Sequence, residues 1–285
     1  MSWDYTDCAL LRHGHVSSIT AIAICPTGTH IATGSLDGVV CIWELASQKV
    51  LYSYDGEIAI LALRWDPRLH DTVLCGMDHG YLASLCFRHG KLHIQGFQGH
   101  AYPVDCIAVS GDLEALASGA QNELHVWNLK QAKPIAPWTL YGSLREPETH
   151  SQDVHLVVAV TSLHWTSCGS SLIATYLHHG ARIYETKTWT CIQSITTDGQ
   201  IARADLSFDD KSLVVSNALT GFDLYSLESG NLIRAFGHDM RARRATPVRF
   251  AETGQSIVGG TTIGEMLVWD VSSGRRMQSL PWEGS

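Results

Sequence analysis

Charge is scarce in this chain. Asp, Glu, Lys and Arg make up 17% of its 285 residues, and 20 basic against 28 acidic groups leave a formal charge of −8. A basic surface for nucleic acid is therefore not expected. Proline is sparse too, at 8 residues against 25 glycines, which excludes collagen-like and proline-rich segments. No run approaches the ~18 apolar residues of a membrane-crossing helix, so no membrane partner is expected. Met1 to Leu11 has no basic stretch followed by a long apolar one, so no secretory leader is expected either. None of the eight cysteines (Cys8, Cys25, Cys41, Cys75, Cys86, Cys106, Cys168, Cys191) stands in a C-x-x-C pair. They read as free thiols of a reducing compartment, cytoplasmic or nuclear, rather than a disulfide frame or zinc site. A phosphate-cradling G-x-x-x-x-G-K-[ST] is missing, as is a nucleophile with a base at meaningful spacing; no cofactor and no catalysis are expected.

What is present is a core's worth of apolar residues, 45% of the chain, arranged with a long period. The segments 31–45, 115–129 and 256–271 each hold a short apolar run, a glycine-containing turn and a second apolar run ending in Trp plus an acidic or amide residue. Weaker copies fill 72–87, 172–185 and 213–226. The aromatic position is occupied in turn by Trp43, Leu85, Trp127, Tyr184, Tyr225 and Trp269, at steps of 42, 42, 57, 41 and 44. The unit is a little over forty residues, with one insertion of about fifteen.

Each unit reads as four strands. In the first these are Ile19–Ile24, His30–Thr33, Val39–Leu45 and Val50–Tyr54, separated by the turn segments PTG, SLDG and ASQK. Val39, Cys41 and Trp43 alternate with Val40, Ile42 and Glu44, so both faces are largely apolar, as in sheets stacked on both sides. A large apolar residue closes each opening strand: Ile24, Trp65, Val109, Trp165, Phe208 and Phe250. The pattern predicts an all-β propeller of six four-stranded blades, as one domain over 1–285. The blades span approximately 13–54, 55–97, 98–139, 140–195, 196–236 and 237–282.

These units resemble WD40 repeats, whose hallmarks are an opening Gly-His and a closing Trp-Asp. Gly14-His15, Gly99-His100 and Gly237-His238 match the first, and Trp269-Asp270 the second, with Trp43-Glu44 and Trp127-Asn128 as near matches. The resemblance implies a buried relay inside a blade, made in the first unit by His15, Thr33, Asp37 and Trp43. Indole, hydroxyl, imidazole and carboxylate satisfy one another there, which makes the set structural rather than a hydrolase triad. The third unit keeps His100, Ser118 and Trp127, with Asn122 at the acid position. The last has His238 and Trp269, but Gly259 and Ile263 stand at the hydroxyl and acid positions. Units two, four and five have lost most of the set and are expected to rely on packing.

The resemblance also implies a function: a non-catalytic scaffold that binds other proteins or peptides. Binding is expected on the face bearing the turn between second and third strands, at Leu36, Asp78, Gln121, His178, Leu219 and Thr262. The link 141–155 is longer than its counterparts and would project there. A second reading is recognition of acidic or phosphorylated peptides by Arg241, Arg243, Arg244 and Arg249. A propeller enzyme is a third, with Asp205 as its one inward acid. Arg203 and Asp205 are expected to pair along the channel. His178-His179, His79 and His164 lack acidic or thiol companions at ligand spacing, so no metal is assigned. Finally, Asp7–Arg12 reads as an orphan strand, a clasp within residues 1–12, because units one and six each have a fourth strand of their own, the latter at Met277–Trp282. That predicts a truncated seven-bladed ring, which would expose strand edges and an apolar blade face.

Overall fold

The computed structural model describes residues 5–6, 9–88, 90–110, 112, 114–129, 139–144, 156–238 and 246–281. Among them the architecture is all-β: six four-stranded antiparallel sheets, the blades of a β-propeller. Two single 3-10 turns, Asp78–Gly80 and Glu252–Gly254, are the helical elements there.

The chain forms two compact units, one of residues 7–146 and one of residues 1–6 with 147–285. The first holds three blades. Blade one is β1 (Ile19–Ile24), β2 (His30–Ser35), β3 (Val39–Glu44) and β4 (Lys49–Asp55). Blade two is β5 (Ile60–Trp65), β6 (Thr72–Met77), β7 (Tyr81–Arg88) and β8 (Lys91–Gln98). Blade three is β9 (Cys106–Ser110), β10 (Ala115–Ala120), β11 (Glu123–Asn128) and β12 (Thr139–Ser143). The second unit holds blade four, β13 (Val160–Trp165), β14 (Ser171–Tyr176), β15 (Gly180–Glu185) and β16 (Cys191–Ile195). Blade five follows with β17 (Ile201–Leu206), β18 (Ser212–Asn217), β19 (Gly221–Ser226) and β20 (Leu232–Gly237). Blade six is β21 (Val248–Ala251), β22 (Ser256–Gly260), β23 (Glu265–Asp270) and β24 (Arg276–Pro281).

Period-two alternation puts a buried residue on both faces of each middle strand; Val40, Cys41, Ile42 and Trp43 are all buried. We call the face carrying Thr33, Cys41, Trp43 and their counterparts the front. In the first unit the front of blade two (Leu63, Trp65, Val73, Leu85) packs on the back of blade one (Ala23, Ala32, Val40, Ile42). Likewise Ile107, Leu116 and Trp127 of blade three pack on Ala62, Leu74 and Leu82 of blade two. In the second unit Ala204, Leu213 and Tyr225 of blade five pack on Ile173 and Ile183 of blade four, and Val248, Ile257 and Trp269 of blade six on Val214 and Leu224 of blade five. Front on back is thus the packing rule of both units.

The third and fourth strands shift register just before the aromatic position in five blades, at Ile42/Trp43, Val126/Trp127, Ile183/Tyr184, Leu224/Tyr225 and Val268/Trp269. Blade two has Leu85 there and its ladder runs on without interruption. A bulge bends and twists a strand, and here it accompanies the bulky ring.

Several expectations need correction. Ala9–Arg12 form no strand, while Asp7 and Cys8 lie outside the described residues. Ala9–Arg12 have no ladder partner among the described residues, and Leu10 is exposed instead of packed. Blade three does not stop at 139: Tyr141, Gly142 and Ser143 of the expected link are part of β12, paired with β11, and 145–155 lie outside the described residues. The last strand, Arg276–Pro281, contains the described part of the expected Met277–Trp282, and Trp282 lies outside the described residues. The apolar residue closing the fifth opening strand is Leu206, opposite Leu213; Phe208 lies beyond the strand and is exposed.

Candidate protein-interaction face

The turns between second and third strands are held from beneath by buried polar groups, most completely in blades one and three. In blade one, Thr33 Oγ1 accepts the Trp43 indole N–H (2.8 Å) and is hydrogen bonded to His15 Nε2 (2.7 Å). His15 Nδ1 stands 3.6 Å from Asp37 Oδ1, beyond hydrogen-bond distance. Asp37 instead accepts the backbone N–H of Val16 (2.9 Å) and of Val39 (2.9 Å), tying the link that enters the blade to the turn. Burial pushes the Asp37 carboxyl up, but these amides, Ser35 and His15 outweigh it and hold it down at about 2. Glycine is required before His15, because a Cβ at Gly14 would run into the Trp43 ring.

Blade three repeats the design with one substitution. Ser118 Oγ accepts the Trp127 indole N–H (2.7 Å) and bonds His100 Nε2 (2.6 Å). The carboxylate partner of His100 is Glu123, not a group at Asn122: Nδ1 lies 2.8 Å from Glu123 Oε2, which also accepts the Ala101 N–H (3.1 Å). Glu123 sits one residue later, and its extra methylene spans the difference. Burial, reinforced by neighbouring His125, pushes the His100 imidazole down to about 4 against the pull of Glu123. The ring is therefore neutral near pH 7. His125 stacks on it with centroids 4.4 Å apart and planes 13° apart. His100, Glu123 and His125 each bring a ligand atom within 4.8 Å of the others, the one such group among the described residues. Face-to-face rings hold their lone pairs side by side rather than aimed at one point, so the arrangement suits a relay better than a chelate.

Blades four and five do not rely on packing alone. Tyr176 and Tyr184 share a buried hydroxyl–hydroxyl bond of 3.0 Å, and Thr161 and Thr175 another of 2.9 Å. In blade five, Asn217 Nδ2 donates to Asp198 O (2.7 Å) and to Asp223 Oδ2 (2.8 Å), while its Oδ1 accepts the Leu219 N–H (3.0 Å). Sequence reasoning missed Glu123, His125, Tyr176, Asn217 and Asp223; an acid one residue past the expected position was the only signal available.

Each turn residue singled out by sequence lies where second and third strands meet: Leu36, Asp78 and Gln121 in the first unit, His178, Leu219 and Thr262 in the second. Leu36 and Leu219 are exposed, and so are Val16, Tyr102 and Ile263 nearby in the links and turns. Gly80 lets the blade-two turn touch the next link: its φ is +82°, and a Cβ there would meet the His100 carbonyl oxygen, while Gly80 O accepts the N–H groups of Gly99 (3.0 Å) and His100 (3.1 Å).

The arginines are distributed otherwise than expected. Arg241, Arg243 and Arg244 lie outside the described residues. Arg203 and Asp205 do not pair with each other. Arg203 donates to Thr161 O (2.9 Å) in blade four, whereas Asp205 receives Arg249 (2.8 Å) and the Phe250 N–H (2.8 Å) from blade six. Two residues apart on β17, they serve opposite neighbours. Arg249 is thereby engaged in the fold.

Residues 7–44 and 91–128 match the family described as WD domain, G-beta repeat. The chain is 27% identical over 210 residues to "Cell division cycle 20.1, cofactor of APC complex" of Arabidopsis thaliana, covering 71% of this chain and 43% of that protein. It is 32% identical over 124 residues to WD repeat-containing protein 18 of Bos taurus (39% and 28%). It is 25% identical over 134 residues to the small ribosomal subunit protein RACK1y of Oryza sativa subsp. japonica (45% and 40%). The chain thus spans less than half the length of each of these relatives. Six blades in one register, glycine–histidine links seated on tryptophan rings and two stretches matched by the repeat model make this chain similar to the WD40-repeat proteins.

Proposed function

We propose that the chain is a non-catalytic platform for other proteins or peptides, using the turn face that carries Leu36 and Leu219. The observation that carries this reading is the contrast between rigid support and exposed apolar tips. Buried relays fix the turns, and Leu36, Val16, Leu219 and Ile263 stand above them in solvent. Apolar residues on pre-ordered loops lose little entropy on binding. The imidazole–hydroxyl sets do not suit nucleophilic work: Thr33 and Ser118 are buried and already accept indole donors. Two relatives carry assembly in their names, a cofactor of the APC complex and a ribosomal subunit protein, which favours the same class. A net charge of −8 disfavours nucleic acid as partner, and the seven described cysteines are all free, which fits the cytoplasm or nucleus. No helix among the described residues is long and apolar enough to cross a membrane.

The test is affinity capture with the full chain against Leu36→Glu and Leu219→Glu forms. Both positions are exposed, so folding is retained. Proteins bound by the natural chain and lost from the variants support the face; identical bound sets from all three overturn it.

A further inference from the structure

The inner strands of the blades hold one position in common. Opposite Thr33 and its counterparts stand Ile22, Leu63, Ile107, Leu163, Ala204 and Val248. The last five are 1–2% exposed; Ile22 is 58% exposed. Two residues on, Ile24 is 61% exposed where Trp65 and Phe250 are buried. Beside it on β2, Ile31 is half-buried, whereas Val73, Leu116, Leu172, Leu213 and Ile257 in the same place are completely enclosed. Thr33, Cys41 and Trp43 on the same face are buried, so the exposed part of the front is its inner edge, Ile22 and Ile24 with Ile31 beside them, which is a blade-packing surface by composition and an exposed one by environment.

What such a surface accepts can be read from its counterparts. The fronts of blades two, three, five and six are covered in the same way, by the back of a four-stranded blade presenting small and branched residues such as Ala23, Ala32 and Ile42, or Val214 and Leu224. We propose that the front of blade one docks the back of a further four-stranded blade of this kind, carried by another polypeptide. On blade six, Tyr5 is the residue held against the corresponding back face. Gln278, which lies there opposite Val268, donates to Tyr5 O (2.8 Å) and accepts the Tyr5 N–H (2.9 Å). The Tyr5 hydroxyl donates to Glu252 (2.7 Å). The docking surface is distinct from the turn face and stands whether or not that face binds proteins.

The probe is an extra copy of residues 13–55 joined to the full chain by a long glycine–serine linker. The Ile22→Cys thiol of the receiving blade, and separately the Ile24→Cys thiol, is labelled with a maleimide and read by peptide mass spectrometry. Both are rapid in the chain without the extra copy and at least tenfold slower with it. Ala23→Glu plus Ile42→Glu in the added copy alone restores rapid labelling. Three results overturn the proposal. Protection already present in the unextended chain means that its own residues cover the face, and protection rising with concentration means that a second copy does. Unchanged labelling, with the added copy left open to protease, means that the face takes no blade, because a unit of this kind folds only against a neighbour.

Discussion

Blades one and three bury a histidine, a hydroxyl and an indole in a relay that reaches from the incoming link to the third strand, whereas blade four buries two tyrosines whose hydroxyls bond each other. Blade five is intermediate: Asn217 joins the link at Asp198 to Asp223 on the third strand and spends both amide donors doing so. One backbone repeat therefore accommodates three different polar solutions. What the blades share is that the indole, hydroxyl and amide groups of these sets are paired, since an unpaired buried donor costs about 1–3 kcal/mol. The relay adds a tie between link and sheet.

The sharpest break in this comparison is Trp127→Ala. It removes the ring on which Gly99 rests and the donor to Ser118, and the expected loss is about 3–5 kcal/mol in urea denaturation of the full chain. Next, Glu123→Ala leaves His100 without its carboxylate and is expected to cost about 1.5–3 kcal/mol. A loss under a few tenths would return the acid position to its neighbour.

The third effect is one of pH. The folded His100 ring refuses a proton until about pH 4, while its unfolded counterpart takes one up near 6.5. Between those values the unfolded chain binds more protons, so this contribution is complete above 6.5 and declines as pH falls towards 4. His100→Gln should flatten that part of the profile of urea midpoint against pH. Asp37 works lower: its depressed carboxyl contributes above the usual aspartate range and loses that contribution as pH falls to about 2. The smallest effect belongs to blade four. Tyr176→Phe removes one hydroxyl and leaves Tyr184 with one partner fewer, for about 1 kcal/mol by the same denaturation assay.

Most of the blade plan was legible because strand alternation, turn residues and a forty-residue period are local properties of the chain. The misreadings share a cause. Phe208 fits the end of the fifth opening strand by sequence because an aromatic two residues on preserves the facing parity, and only cross-strand pairing of Leu206 with Leu213 decides between them. Alignment puts Asn122 at the acid position and passes over Glu123 one residue later, because it assumes equal side-chain reach. Asp7–Arg12 has the composition of a strand, but a strand needs a ladder, and its described residues have none.

Spacing, facing and turn chemistry were thus determined by the order of residues alone, since they depend on neighbours a few bonds away. Which polar groups meet, which arginine serves which blade, and that Ile22 stands in solvent while its five counterparts are enclosed were decided only in three dimensions. Those outcomes depend on what another part of the chain, forty or more residues distant, brings within a few ångströms.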